Sequence, residues 1–425
     1  MERIINRSMS TFLHQHGLIS SSQHGFRPNH STASNLLESV SDLYLNLDKR
    51  SPTDVIYFDF SKAFDSVSHP KLLTKLRAYG LTGPLLGWLT SFLTDRHQYI
   101  AFDGATSDLF PVTSGVPQGS VLGPSLFLIF INDICDIQLA LDVIFKLFAD
   151  DLKVYALCDS HCNSRALIDT LSLIEEWSAK WQLPLAIDKC SSVHFGKRPT
   201  IPTTPVNHNY LLFSAPLASS STIKDLGVLF DNQLKFDAHI ASVVHKALTR
   251  SKLILRCFYS RNRSLLVKAY ITYVRPLLEY CSVVWAPHFN YLSDKVESVQ
   301  RFYTKRIPGL RNLSYQQRLL ILELRPLHFR RIVYDLSVCY KIVHGLLDSS
   351  LAHLITPKHF LSTRGHNLRL QPLPFRSDFA KFSFPARAIR FWNALPVEIV
   401  NAPSTLSFTI RLNSLPSDFF DCHLK

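Results

Sequence analysis

Two aspartates stand side by side at Asp150 and Asp151, between the alternating apolar runs DVIFKLF and LKVYAL. Carboxylates that close repel one another and raise each other's pKa, so they are costly unless something neutralises them. A pair of divalent cations does so. The chemistry such a pair serves is in-line phosphoryl transfer, with metals about 3.5–4 Å apart clamping the attacking and leaving oxygens. An Asp-Asp pair in a hairpin is equally what a polar turn looks like, and Phe148, Ala149, Asp150 and Asp151 alone do not separate the two readings. Asp59 adds a third carboxylate at the end of DVIYFDF, a strand-like run of aromatic and β-branched residues roughly 90 positions earlier. A sheet that sets these strands side by side brings three carboxylates to one edge. Three carboxylates can hold two magnesium ions, because magnesium keeps several waters and normally takes one or two carboxylates plus substrate phosphates.

The elements that must position these residues follow from periodicity. ERIINRSMSTFLHQHG reads as a helix, and from Thr32 onward Leu36, Leu37, Val40, Leu43, Tyr44 and Leu47 recur at helical spacing, with Ser31 or Thr32 to cap the start. After Asp59 the chain reads as a turn and then a helix, with Pro70 at its start and Gly80 just past its end. PLLGWLTSFLTDR makes another helix, and the runs HQYIAF and DLFPVT meet at Asp103-Gly104, the strongest hairpin signal in the chain. GVPQGSVLGPSLFLIFINDI gives a Gly- and Pro-punctuated loop and then a buried helix, ahead of the hairpin that carries Asp150 and Asp151. Residues 164–182 form a long helix, SSVHFGK a strand, TIPTTPVNHN a loop, and STIKDLGVLFD a strand or hairpin. Beyond Phe236 the pattern is helical and basic, with a break at Pro326 and a packed tail rich in Phe, Arg and Pro.

A chain of 425 residues that is 46% hydrophobic folds and buries a large core. Its longest apolar run, from Leu122 to Ile131 with Pro124 and Ser125 inside it, is about half of what a membrane span needs, so no membrane contact is expected. MERIINRSMSTFL lacks the apolar stretch and cleavage site of a secretory signal, which puts the eight cysteines in a reducing compartment as free thiols. Cys158 and Cys162 flank His161, but no second pair follows at zinc-finger spacing. Residues 1–200 carry 17 Lys and Arg against 20 Asp and Glu, a net of −3, whereas residues 201–425 carry 29 against 13, a net of +16. An acidic first half suits a metal site, and a basic second half suits a polyanion.

In this order and spacing, FDFSKAFDSVSH, SGVPQGSVLGPSLFLIFIND and FADDLKVY resemble the palm motifs of reverse transcriptases of non-LTR, LINE-type retrotransposons, the jockey-like group in particular. QHGFRPNHST resembles the fingers motif that precedes the palm, LPLAIDKCSSVHFGK the later palm motif with its lysine, and STIKDLGVLFDNQLKFDAHI the primer grip. VRPLLEYCSVVWAP, ESVQRFYTKRI and FWNALP are similar to the C-terminal region, so the likeness covers nearly the whole chain. The resemblance implies an α+β fold, a right-hand polymerase palm of antiparallel sheet and helices with partial fingers and a helical thumb and C-terminal region. The parts are partial fingers over 1–50, palm over 51–235 with a fingers/palm insertion at about 70–115, basic thumb over 236–310 and an accessory region over 311–425.

By the same resemblance Asp59, Asp150 and Asp151 match the metal-binding aspartates, and Phe64 the ring beneath the sugar that excludes a ribose 2′-OH. Gln118, with Gly119 beside it, matches the residue against the incoming nucleotide and template; the flanking glycines would let the backbone approach closely. Lys189 matches the lysine that protonates leaving pyrophosphate, although IDKC departs from the family's Asn-containing pattern, and a surface lysine is the plain alternative. Arg27 matches a fingers arginine near the triphosphate or template, and Asp65 a carboxylate that supports the site without ligating. The implied activity is RNA-directed DNA polymerisation with two Mg²⁺, or Mn²⁺, on an RNA template and DNA primer with deoxynucleoside triphosphates. The chain is expected to be intracellular, nuclear and cytoplasmic, N-terminally truncated and without the family's endonuclease domain. Two alternatives stand: a catalytically inactive nucleic-acid-binding relic of such an element, and an RNA-templated RNA polymerase, against which Phe64 argues.

Overall fold

The computed structural model describes residues 1–140, 143–158, 163–196, 210–260, 262–347, 350–358, 366–376, 380–416 and 418–420. His161, Cys162 and the expected loop TIPTTPVNHN lie outside them. The chain divides into two compact units, one of residues 1–35 and 50–221, the other of residues 36–49 and 222–425.

The first unit is built on a five-stranded sheet of β1 (Thr53–Phe58), β2 (Ile144–Phe148), β3 (Asp151–Leu157), β4 (Ser191–Phe195) and β5 (Ala218–Ser220), in the order β5-β4-β1-β3-β2. All neighbours are antiparallel except β4 and β5. β1 is central, so both its faces and both its edges are covered, which suits its run of Val55, Ile56 and Phe58. α1 (Glu2–Gln15), α3 (His69–Ala78), α4 (Gly83–Leu93), α5 (Gly123–Ile131) and α6 (Asn163–Trp181) form where periodicity placed helices, as does α2 (Thr32–Asp48), whose residues 36–48 belong to the second unit. The segment GPSLFLIFI is apolar on every side, and a helix of that kind is buried; Leu126, Phe127, Ile129, Phe130 and Ile131 of α5 are all fully buried. They join Leu72 and Leu76 of α3, Leu167, Leu171 and Ile174 of α6, and Ile56, Phe58, Phe145 and Val154 of the sheet in one core.

Local signals hold where they rest on backbone geometry. Pro70 lies in the first turn of α3, and Gly80 follows the helix at φ +84°. Asp103 and Gly104 both take positive φ, as a type I′ turn requires, joining Ala101–Phe102 to Ala105–Thr106. The longer strands read from HQYIAF and DLFPVT are interrupted, and only His97–Gln98 and Phe110–Pro111 pair beyond the tip.

The second unit opens on an antiparallel hairpin, Thr222–Asp225 with Val228–Asp231, and is helical thereafter. Its helices include Asp237–Cys257, Asn290–Lys305, Leu327–Val343 and Phe384–Trp392, around fully buried Tyr270, Trp285, Tyr303, Phe329, Trp392 and Phe408. Among the described residues no helix is long and apolar enough to cross a membrane, and Cys135, Cys158, Cys190, Cys257, Cys281 and Cys339 are free thiols.

One buried cation marks the packing of α3 on α5 and α6. The Lys75 ammonium donates to the Phe130 carbonyl and, at 2.6 Å, to Asp133 Oδ1, and lies 3.6 Å from the Trp181 ring centroid. Burial, partly offset by Asp133, pulls its pKa down from 10.5 to about 8. A base whose folded pKa is depressed is penalised in its charged form. That penalty is complete below about pH 8 and disappears as pH rises toward 10.5. The parent is therefore expected to gain stability relative to Lys75→Met between those pH values in chemical denaturation, and a difference that stays flat across this window contradicts the assignment.

Candidate active site

β1 and β3 pair in register from Thr53–Leu157 to Phe58–Leu152. One step further stand Asp59, just past β1, and Asp151, the first residue of β3. Across the β2–β3 hairpin Phe148 pairs with Asp151, which leaves Ala149 and Asp150 as a two-residue turn. Ala149 holds φ at +58°, a left-handed conformation that costs a residue with a Cβ roughly 1–2 kcal/mol. The sheet thus gathers all three carboxylates at one edge, as the sequence spacing predicts.

Asp150 is half-buried, and its carboxyl is pushed above the ordinary aspartate value, first by burial and then by the negative charge of Asp59, against the pull of its own backbone N–H. A carboxylate set that is partly desolvated and mutually repelling has the donor chemistry of a divalent-cation site. Lys189, in the 3₁₀ turn Ile187–Lys189, reaches Asp59 with Nζ 3.4 Å from Oδ2, so the lysine is an ion-pair partner of the site. Its turn is pinned there: Ala186 N–H donates to the Asp59 carbonyl at 2.7 Å, and Ser61 N–H to the Pro184 carbonyl at 2.8 Å.

The GVPQGS loop docks on the turn that follows β1. Val116 N–H donates to the Phe64 carbonyl at 2.9 Å, Gly115 N–H to that of Val67 at 2.8 Å, and Gln118 Nε2 to Asp65 Oδ1 at 2.8 Å. Asp65 therefore orients Gln118. The close approach expected of the glycines belongs to Gly115, where a Cβ would lie 2.9 Å from the Asp65 backbone; Gly119, at φ +79°, faces open space. Phe64 stacks on buried Phe127 at 4.2 Å, which fixes its ring. A cavity of about 660 Å³ beside this loop is lined by Lys62, Asp65, Arg96, His97 and Gln118 among others.

Sequence reasoning missed the residues that hold the turn from outside. Gln23 is buried, and its amide bonds both the N–H and the carbonyl of Ala149. Asn35 Nδ2 and His24 N–H both donate to the Leu147 carbonyl at 2.9 Å. Arg27, expected near triphosphate or template, donates from Nη1 to the carbonyls of Ser20 at 2.6 Å and Gln23 at 3.0 Å, so it closes the loop that carries Gln23. The only signal was QHGFR itself, and the partners of its Gln23 amide and His24 N–H, Ala149 and Leu147, lie more than a hundred residues away.

Among the described residues, Asp54, Cys158 and His194, at the opposite end of β1, are the one group of three metal-ligand types whose donor atoms lie within 4.8 Å of one another; Asp59, Asp150 and Asp151 share the other end without meeting that closely. Burial alone would raise the Asp54 pKa, but hydrogen bonds from His194, Tyr210 and Cys158 hold it below 3.8. His194 Nδ1 lies 2.6 Å and the Tyr210 hydroxyl 2.5 Å from its oxygens, so this carboxylate is satisfied by hydrogen bonds within the protein.

The penalty on the charged Asp150, set first by burial and then by Asp59, has a measurable sign. Because its folded pKa lies above 3.8, the charge costs stability once pH exceeds that folded value, and costs nothing well below pH 3.8. Asp150→Asn is expected to raise the melting midpoint of the metal-free protein by about 1–2 °C at pH 7. The gain should vanish toward pH 3, and equal midpoints at pH 7 contradict the penalty on the charged form.

Residues 1–230 match the family model "Reverse transcriptase (RNA-dependent DNA polymerase)". Over 321 residues the chain is 30% identical to the RNA-directed DNA polymerase from mobile element jockey of Drosophila funebris, covering 73% of this chain and 34% of that protein. Over 317 residues it is 27% identical to the probable RNA-directed DNA polymerase from transposon X-element of Drosophila melanogaster, covering 72% and 34%. The chain thus spans about a third of the length of these relatives. Among solved structures, apo telomerase from Candida tropicalis aligns with a TM-score of 0.43 at 12% identity, covering 78% of this chain and 53% of that one. The matched region contains β1 with Asp59, the GVPQGS loop and the Asp150–Asp151 hairpin, and the chain belongs to the reverse transcriptase family, whose members use divalent metal ions.

Proposed function

We propose that this chain is an RNA-directed DNA polymerase that adds deoxynucleotides to a DNA primer on an RNA template. The observation that carries the reading is the β1–β3 register, which sets Asp59 beside the hairpin of Asp150 and Asp151. The three carboxylates would hold two Mg²⁺, or Mn²⁺ in their place; bound there, the cations would supply the charge that lowers the pKa of the primer hydroxyl and offsets that of the departing pyrophosphate.

In the reaction the primer 3′-oxygen forms a bond to the α-phosphorus, the bond to the β-phosphate oxygen breaks, and the hydroxyl proton is lost. Lys189 is a proton donor to the pyrophosphate from Nζ, a role supported by its ion pair with Asp59. Gln118, oriented by Asp65, lies against the base and template, and Lys62 and Arg96 in the adjoining cavity suit a phosphate-bearing strand. Phe64, fixed on Phe127, bars a ribose 2′-hydroxyl. In the second unit a cleft of about 1030 Å³ lined by Arg256, Lys305, Arg306 and Arg311 with Phe258 and Tyr259 offers phosphate contacts and stacking surfaces to nucleic acid.

Extension of a labelled primer on an RNA template with Mg²⁺ or Mn²⁺ tests the proposal. Purified chain should extend, and Asp150→Ala should lose about 10³-fold, the loss of several kcal/mol of transition-state stabilisation. A variant that extends as well as the parent sinks the catalytic assignment. A parent that binds RNA and DNA yet extends neither favours the non-catalytic relic. Phe64→Val should raise ribonucleotide use relative to deoxynucleotide by about tenfold or more; unchanged discrimination in competition assays removes the ring as the gate.

A further inference from the structure

The turn that carries Asp150 is clamped by a segment more than a hundred residues away. Gln23 is 1% exposed. Its Oε1 accepts from Ala149 N–H at 3.0 Å and from Gly25 N–H at 2.7 Å, and its Nε2 donates to the Ala149 carbonyl at 3.3 Å. A primary amide offers both an acceptor and a donor, which here meet the N–H and the C=O of one residue and so hold the two peptide units that flank Ala149. The segment is itself anchored: Leu147 N–H donates to Ser22 O and His24 N–H to Leu147 O, both at 2.9 Å. Gly25 brings its backbone so close that a Cβ there would lie 2.3 Å from the Ala149 nitrogen.

These contacts address a specific difficulty. Ala149 sits at φ +58°, and a strained conformation persists only where its surroundings over-determine it. The next residue is Asp150, and Asp59 stands one register step beyond the Phe58–Leu152 pair. Relaxation of the Ala149 backbone would carry Asp150 away from that position.

We propose that Gln23 is a positioning residue that fixes the Ala149 peptide, and through it the Asp150 carboxylate, at the spacing divalent cations require. The inference rests on the reading of Asp150 as a metal ligand. Gly25 belongs to the same device, because only a residue without a side chain lets the clamp close. Gln23→Glu keeps the accepting oxygen and loses the donor to the carbonyl; Gln23→Met keeps the length and loses all three bonds.

The test uses the full chain and reads Mn²⁺ binding by electron paramagnetic resonance, alongside Mg²⁺-dependent extension and thermal melting. Gln23→Met and Gly25→Ala should each raise the Mn²⁺ concentration for half-saturation about tenfold, in the range of outer-shell substitutions. In extension, kcat should fall about tenfold with KM for the deoxynucleotide within about twofold, and Gln23→Glu should lie between parent and Gln23→Met. Variants that melt lower but bind Mn²⁺ like the parent overturn the inference and leave Gln23 a packing residue. Asp150→Ala serves as the reference. If it leaves Mn²⁺ binding unchanged, the ligand reading itself falls and the clamp with it; if it abolishes binding while Gln23→Met and Gly25→Ala do not weaken it, only the clamp falls.

Discussion

Charge placed on a partly buried sheet edge is the constraint on which the first unit turns. Asp150 is penalised first by desolvation and then by the charge of Asp59, so its place at this edge is locally uphill. Two features of the surroundings oppose the displacement that this penalty favours. β1 is locked between β3 and β4 by ladders on both sides, which leaves Asp59 little freedom to retreat. The β2–β3 turn is held by its own ladder and by the amide of Gln23. Stability is spent at such sites for function, and a cation is the natural means of recovering it.

Each of the short motifs acts as a bracket on this edge. The turn after β1 offers the Phe64 and Val67 carbonyls to the GVPQGS loop and the Asp65 carboxylate to Gln118. The loop before β4 returns to the Asp59 backbone and delivers Lys189. At the other end of β1, Asp54 is satisfied by His194 and Tyr210. The two ends of β1 therefore present carboxylates with opposite fates: protein donors hold the pKa of buried Asp54 down, whereas Asp59, just past the strand, adds to the charge felt by Asp150.

Most elements were legible because they depend on local physics. The apolar run of α5, the Pro70 and Gly80 punctuation of α3 and the Asp103-Gly104 turn each encode their own geometry. The three aspartates were legible as candidates because strand-like runs flank them and chemistry restricts what such a set can do. Gln23 was not legible in that way. Its environment is created by Leu147 and Ala149, and nothing in the composition of QHGFR states that a glutamine will be buried against a turn in another strand. For Arg27 the sequence suggested phosphate or template, and what it did not reveal is that Nη1 also binds the Ser20 and Gln23 carbonyls. Nor did the glycine spacing reveal that Gly115 packs against the Asp65 backbone.

The central claim is that Asp59, Asp150 and Asp151 form one two-metal site. Mn²⁺ titration of the chain in the presence of primer, template and a non-reactive deoxynucleotide analogue, read by electron paramagnetic resonance, addresses it most directly. Two ions per chain with a spin-coupled spectrum are expected, in keeping with a separation of about 3.5–4 Å, and Asp59→Ala should abolish the coupling. Binding of uncoupled ions only, or a coupled pair that survives Asp59→Ala, contradicts the account.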